Sequence, residues 1–457
     1  MMRQFRLAEL AAPLDARLLG SDQPFARVST DSRTLQAGDL FVALVGDRFN
    51  GHDYLPQVQA GHAAGALVSQ PFDGDIAQLQ VADTLTALGR LGAYNRSFYH
   101  GPLVGITGSS GKTTVKNMVR AVLEQAGNTL ATDGNFNNEI GVPLTLLRLH
   151  PEVDYAVVEM GAGRIGDIAW LRELGRPTIS LLVNAGPAHL ETFGTIDDVA
   201  QGKGEIFDGL GAGDYAVINA DQRWAAQWRK RAGQANILDF GLHNAAAISA
   251  SNISVRGSQG VSFTASTPEG EIAIRLGLPG QHNVANALAA IAAGLACGLH
   301  LTQIRDGLES LQPVAGRLRS LRTPAGCTVI DDCYNANPGS VRAAIEVLAS
   351  CDGRRTLILG AMLELGDDSV AMHREIGRYA AELGLDGFWG VGQELQPAVE
   401  AFGSGGQLFA DRQAVVDAAL TAFCAHDTVL VKGSRSSKME QVLQSMTAAG
   451  KQGEPPC

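Results

Sequence analysis

Short apolar runs alternate along the chain with stretches in which apolar residues recur every third or fourth position. Over residues 1 to about 82 the runs LFVALVG and GALVSQ stand between turn-rich segments, as in a small α/β domain. From Thr84 the spacing of Leu85, Leu88 and Leu91 predicts a helix, after which PLVGIT reads as a buried strand. Val115, Met118, Val119, Val122 and Leu123 then predict a second helix, closed by Gly127. The strands YAVVEMG, ISLLVNAG and YAVINAD each run into a polar turn, which implies a parallel sheet covered on both faces. Residues 244–277 carry closely spaced alternating runs instead, as an inserted antiparallel hairpin set would. Around Pro313 the pattern restarts with TVIDDCYN, TLILGAM, GFWGVG and TVLVKGS, a doubly wound pattern. The expected fold class is α/β with three domains: a small N-terminal α/β domain (1–82), a central P-loop-type parallel-sheet domain (83–313) and a C-terminal Rossmann-like domain (314–457).

Length and composition fit that division. A chain of 457 residues exceeds one ordinary core, and 45% hydrophobic with 18% charged residues is ordinary for a globular protein. The net charge of -11 argues against nucleic acid or an anionic membrane as partner, so a phosphorylated ligand has to be held by local donors. The uncharged run from Leu276 to Ile304 opens with His282, Asn283 and Asn286, which favours a buried helix over a membrane span. The six cysteines all follow residue 296 without a CxxC pair, as free thiols of a reducing cytoplasm would. MMRQFRLAEL lacks the apolar region of an export signal, and the tail KQGEPPC is expected to be disordered.

Candidate chemistry concentrates in VGITGSSGKTT, Val104–Thr114. Gly108 and Gly111 allow a tight turn or close approach of the backbone to phosphate. Ser109, Ser110 and the following helix N-terminus supply N–H donors, Lys112 a charge, and Thr113 a hydroxyl for Mg2+. The general P-loop pattern nevertheless asks for glycine where Ile106 stands, which leaves a glycine-rich turn as the alternative. Glu159 closes the strand YAVVEM where a second metal ligand is expected, or is a capping carboxylate. His189 follows ISLLVNAG at another strand end, as a ligand or as a structural histidine. Lys203 lies between Gly202 and Gly204 on a helical pattern. It is either a solvated lysine or a residue whose flanking glycines provide space or close approach, since each glycine costs about 1 kcal/mol in a helix.

Taken together and in order, TGSSGKTT, NFNNEIGVP, VVEMG, NAGPAHLETFG, GKGEIF, GQHNVANALAA, GRL and DDCYNANPGS resemble the Mur ligase family, ATP-dependent amide ligases that build the peptide stem of peptidoglycan. The resemblance spans essentially the whole chain, including DSRTLQAGDLFVALVG, and that family's loop has no glycine requirement at Ile106. DCYNANP, LGAMLELG and VKGSRSSKME resemble the branch that joins D-alanyl-D-alanine to a UDP-N-acetylmuramoyl-tripeptide, rather than those adding a single amino acid. The resemblance implies ATP and two Mg2+ ions, with no nucleic acid and no membrane insertion, in a cytoplasmic monomer. It places the phosphates on the loop residues Gly108 to Thr114, Thr113 and Glu159 on one Mg2+, and His189 with a CO2-carbamylated Lys203 on the other. Asn283 is implied at adenine, and Arg317 and Asp332 at the phosphate or ribose side. Ser32, Arg33 and the segment FNGHD fall to the uridine-linked substrate, and Asn137 and Asn138 to its acyl group. Asn335, Asn337, Lys432, Ser434 and Arg435 fall to the dipeptide. For Arg33 a surface ion pair is the alternative.

Overall fold

The computed structural model describes residues 1–448 and contains three α/β units, each built on its own sheet. The tail KQGEPPC, with Cys457, lies outside the described residues. The first sheet has five strands, in the spatial order Arg17–Leu19, Gln78–Gln80, Gly65–Val68, Leu40–Val42, Val28–Ser29. Its central strands Leu40–Val42 and Gly65–Val68 are buried throughout and pair in parallel. The helix Thr84–Arg96, started by Asp83, whose side chain accepts from the Thr86 N–H at 2.6 Å, lays Ala87, Leu88 and Leu91 on this sheet's core.

The second sheet has nine strands, in the order Thr129–Ala131, Tyr155–Glu159, Leu103–Thr107, Ile179–Leu182, Tyr215–Asn219, Asn236–Gly241, Ile248–Val255, Val261–Thr267, Gly270–Leu276. Pairing is parallel as far as Ile248–Val255 and antiparallel for the last two strands, the expected hairpin extension. The chain leaves Leu103–Thr107 towards one edge and returns through Ile179–Leu182 on its other side. Strand order therefore reverses at this point, where α/β sheets open a crevice at the strands' carboxyl ends. Helices Lys112–Leu123 and Gln281–Ala296 pack together on one face, and helices including Asp167–Gly175 and Ile196–Gly204 cover the other. The run read as one buried helix is two: Gly298, at φ +80°, ends Gln281–Ala296 before Leu301–Glu309 begins.

The third sheet has six strands, in the order Arg319–Arg322, Thr328–Asp332, Asp427–Lys432, Arg354–Gly360, Gly387–Val391, Gly406–Phe409, with only the first antiparallel. Apolar cores lie on both faces, as a doubly wound unit requires. Parallel register sets Asp332 beside Lys432 at the strands' carboxyl ends. Here the helix Ser369–Glu382 touches Gln396–Phe402 through Gly377, where a Cβ would stand 1.9 Å from the Ala398 carbonyl oxygen. Gly377→Ala is expected to lower the thermal unfolding midpoint of the third unit by roughly 3 °C or more, because overpacking costs about 1–3 kcal/mol. A midpoint within about 1 °C of the parent would mean that this helix pair gives way easily.

Candidate active site

The loop after Leu103–Thr107 wraps the carboxyl end of the neighbouring strand. Ser109 N–H donates to the Asn184 carbonyl at 3.0 Å, Ser110 N–H to Asn184 Oδ1 at 3.0 Å, and Ser109 Oγ to the Gly186 carbonyl at 3.0 Å. Gly111 makes the turn into the helix at φ +80°. Gly108 has no positive φ and matters for closeness instead, since a Cβ there would stand 3.0 Å from Val183 Cβ. Of the two glycines, Gly111 therefore makes the tight turn and Gly108 the close approach. Ile106 is fully buried inside the strand, so a side chain is what that position needs.

This loop forms one wall of a cleft of about 730 Å3 between the second and third units. Of the expected residues, Ser109, Ser110, Gly111, Lys112, Thr113, Thr114, Asn137, Asn138, Glu159, His189 and Asn283 line it from the second unit. Arg317, Asp332, Asn335, Asn337 and Lys432 face them from the third. Glu159 is 1% exposed; its Oε2 accepts from Thr113 Oγ1 at 3.0 Å and its Oε1 from Asn137 Nδ2 at 2.8 Å. Lys116, unassigned from sequence, is also buried, with Nζ 3.4 Å from Glu159 Oε2 and donating to the Gly134 carbonyl at 2.9 Å. It therefore ties the 133–138 segment to the Glu159 carboxylate. Lys112 Nζ donates to the Gly108 carbonyl at 2.6 Å, and burial holds its pKa below the usual lysine range. Asn283 donates to the Pro279 carbonyl at 2.7 Å and accepts from Asn286 at 2.9 Å, beside the loop. The Arg317 guanidinium sits over the Tyr334 ring, 4.2 Å from its centroid.

Lys203 is 1% exposed and makes no hydrogen bond or ion pair among the described residues. Its ammonium faces the Phe193 ring at 5.6 Å. Burial first, then the charge of Lys112, pushes its pKa well below the ordinary lysine value. Its flanking glycines do not make room for its end: a Cβ on Gly202 would meet Phe193 at 2.8 Å, and one on Gly204 Trp228 at 3.0 Å. They admit those rings against the helix.

Several expected contacts are engaged otherwise. Arg33 is exposed and pairs with Asp31 at 2.7 Å, holding that carboxyl down to about 2; neither Arg33 nor Ser32 reaches the cleft. Lys432 Nζ lies 2.5 Å from Asp332 and donates to the Asn335 carbonyl at 2.8 Å, so its charge is already matched. Burial raises the Asp332 pKa while Lys432 opposes it. Asn337 caps the helix Pro338–Ala349, accepting from Ser340 N–H at 2.9 Å, and Asn138 accepts from Gly141 N–H at 2.9 Å. Ser434 N–H donates to the Ala361 carbonyl at 3.1 Å, and the exposed Arg435 lies 3.6 Å from Glu440; neither lines the cleft.

His282 lies at the cleft with Nδ1 buried and unpartnered, and burial pushes its pKa down to about 4. Its folded pKa is lower than in the unfolded chain, so the unfolded state takes up the extra proton between about pH 6.5 and pH 4. Stability is whole above that window and falls on acidification through it. The pH dependence of the thermal midpoint is expected to flatten in His282→Gln, by on the order of 2 kcal/mol across the window. Identical profiles would show that His282 does not resist protonation.

Sequence profiles described as "Mur ligase family, catalytic domain", "Mur ligase middle domain" and "Mur ligase, glutamate ligase domain" match residues 24–91, 106–294 and 316–435. The chain is 44% identical over 447 residues to the UDP-N-acetylmuramoyl-tripeptide--D-alanyl-D-alanine ligase of Escherichia coli (strain K12), covering 97% of this chain and 98% of that protein. A crystal structure of MurF from Acinetobacter baumannii superposes with a TM-score of 0.93 at 36% identity, covering 98% and 99% of the two chains. MurF ligase from Thermotoga maritima in complex with ADP matches with a TM-score of 0.83 at 28% identity, over 92% and 97%.

Proposed function

The chain belongs to the Mur ligase family, and on that premise we propose that it joins D-alanyl-D-alanine to UDP-N-acetylmuramoyl-tripeptide at the expense of ATP, in peptidoglycan precursor synthesis. The observation that carries this reading is one cleft lined by Lys112, Thr113 and Glu159 from the second unit and by Arg317 from the third.

Amide formation from a carboxylate in water is uphill, so the carboxylate is first activated. Its oxygen takes the γ-phosphoryl group of ATP, giving an acyl phosphate and ADP. The dipeptide amine then attacks the acyl carbon, and phosphate leaves. Such chemistry depends on positioning and charge neutralisation. The Ser109 and Ser110 N–H groups are taken by Asn184, so the N–H groups from Gly111 to Thr114 at the helix start, with Lys112, hold the β and γ phosphates, and Asn283 the adenine side. Arg317 and Asp332 complete the site from the third unit, whose closure over the cleft excludes water.

The donors suit Mg2+, which is usually held by one or two carboxylates together with phosphate oxygens. Thr113 and Glu159 already face each other at 3.0 Å, and no cluster of three His, Cys, Asp or Glu forms among the described residues. Thr113 and Glu159 would hold one Mg2+, and His189 with a carbamylated Lys203 a second; bound there, Mg2+ neutralises charge on the phosphoryl oxygens. A buried lysine without an acidic partner favours the neutral amine, the form that adds CO2, releases a proton and becomes an anionic carbamate.

For the substrates, Asn137 and Asn138 adjoin the acyl end, and Asn335, Asn337 and Lys432 the dipeptide side. Ser32 and Arg33, on the first unit, are assigned to the uridine-linked end, with 1–82, 83–313 and 314–457 as the working domains. All these groups come from one chain, so a monomer suffices. A cytoplasmic location is inferred from the nucleotide substrates; no helix among the described residues is long and apolar enough to cross a membrane. The test is phosphate release and product mass with the UDP-linked tripeptide, ATP and Mg2+, comparing D-alanyl-D-alanine with single amino acids. Turnover with the dipeptide is expected, and turnover only with a single amino acid would overturn the reading.

A further inference from the structure

The segment Leu359–Gly366, LGAMLELG, marks the family resemblance, yet none of its residues has a role in the chemistry above. It follows the strand Arg354–Gly360 and is fixed from behind. The Ala361 carbonyl accepts from Ser434 N–H at 3.1 Å and from Ser437 Oγ at 3.2 Å. The Met362 N–H donates to Nε2 of the buried His373 at 3.1 Å, while that ring's Nδ1 faces the Ser369 carbonyl at 2.8 Å. Met362 and Leu365 are buried in the third unit's core, so the pair between them is turned outward. Glu364, at φ +61°, places Oε2 2.5 Å from Nδ1 of His189, which is itself at φ +54°.

Two non-glycine residues in left-handed backbone thus meet across the gap between the second and third units. Each such conformation costs about 1–3 kcal/mol and persists where its surroundings hold it. The pair is half exposed, 42% for His189 and 57% for Glu364, so as an ion pair it contributes little to holding the units together. What it does fix is the ring. A carboxylate on Nδ1 selects the tautomer and leaves Nε2 for the cleft that His189 lines.

We propose that Glu364 is a positioning residue, carried on the third unit, that orients the His189 imidazole when that unit is docked against the second. Docking and an ordered histidine then arrive together, and the site is complete only in the docked arrangement. The inference rests on the ligase reading, in which His189 would help hold a Mg2+ that neutralises the phosphoryl oxygens. A surface ion pair without consequence is the competing account.

The test uses the full chain with Glu364→Ala, Glu364→Gln, His189→Ala and the double variant Glu364→Ala/His189→Ala. Removing a carboxylate that orients a working histidine typically costs about 10–100-fold, so kcat is expected to fall by at least about tenfold in Glu364→Ala, with KM for ATP moving less than about threefold. Glu364→Gln is expected to recover most of the loss, because its amide oxygen still accepts the Nδ1 proton. The double variant is expected to be no slower than His189→Ala alone. Nitrogen NMR of the His189 ring gives a readout independent of turnover: the Nδ1–H tautomer in the parent and in Glu364→Gln, but not in Glu364→Ala. A kcat for Glu364→Ala within about twofold of the parent would overturn the proposal, as would an unchanged ring tautomer or losses that multiply in the double variant. A parent chain without ligase turnover would refute the ligase reading instead, and the ring spectrum would still decide whether Glu364 orients His189.

Discussion

Lys203→Ala is expected to lose about 10^3-fold or more of the ligation rate, and short-chain carboxylic acids added to the assay are expected to restore part of it. A fully buried lysine without an acidic partner has no stabilising task in its charged form, and its surroundings favour the free amine. As a carbamate the same side chain becomes an anion near Lys112, whose charge, after burial, lowers the pKa of the unmodified amine. Removing the side chain leaves a slot that a small carboxylate can occupy and so supply the missing charge. Full activity of Lys203→Ala without any additive would remove the carbamate from the mechanism. Loss without rescue, together with a lowered thermal midpoint, would assign Lys203 to packing against Phe193.

Lys112→Met is expected to lower ligation by about 10^3-fold and to weaken ADP binding measured by calorimetry, because one buried cation at a transferring phosphoryl group is worth several kcal/mol. Stability should hardly change. The Lys112 ammonium has one protein hydrogen bond, to the Gly108 carbonyl of its own loop, so its loss costs within about 1 kcal/mol. Retained ADP affinity in Lys112→Met would show that the loop N–H groups alone hold the nucleotide.

The three α/β units and the strand-turn-helix setting of the Gly108–Thr114 loop were legible in the sequence because each rests on a local rule: apolar periodicity for strands and helices, and glycine with lysine at a strand-to-helix turn. Glu159 was legible for the same reason, as an acid at the end of an apolar strand. What was not legible depends on distant chain segments. Which of the two loop glycines turns the chain was not legible: Gly111 takes the positive φ, and Gly108 gives close approach to Val183 on the neighbouring strand. Gly202 and Gly204 suggested space for Lys203, but the bodies they admit are Phe193 and Trp228. Lys432 was assigned to the dipeptide with no sign in the sequence that sheet register sets Asp332 beside it. Asn138 and Asn337 carry polar groups suited to a ligand, yet both spend their oxygens on helix starts, a use that asparagine shares with binding sites. Lys116 did leave a signal, a lysine one turn after Lys112 within the helix's apolar stripe, where a charge needs a buried partner. Glu364 left none, since its partner lies on another unit.

Activation of the tripeptide carboxylate by ATP through a phosphoryl bond is read out by oxygen transfer. Ligation is run with UDP-N-acetylmuramoyl-tripeptide whose reacting carboxylate carries 18O, and the released phosphate is analysed by mass. The oxygen that attacks the γ-phosphorus leaves with phosphate when the amine attacks the acyl carbon, so each phosphate is predicted to carry one labelled atom from a fully labelled carboxylate. Amide product accompanied by unlabelled phosphate would show that the carboxylate oxygen never bonds to the γ-phosphorus.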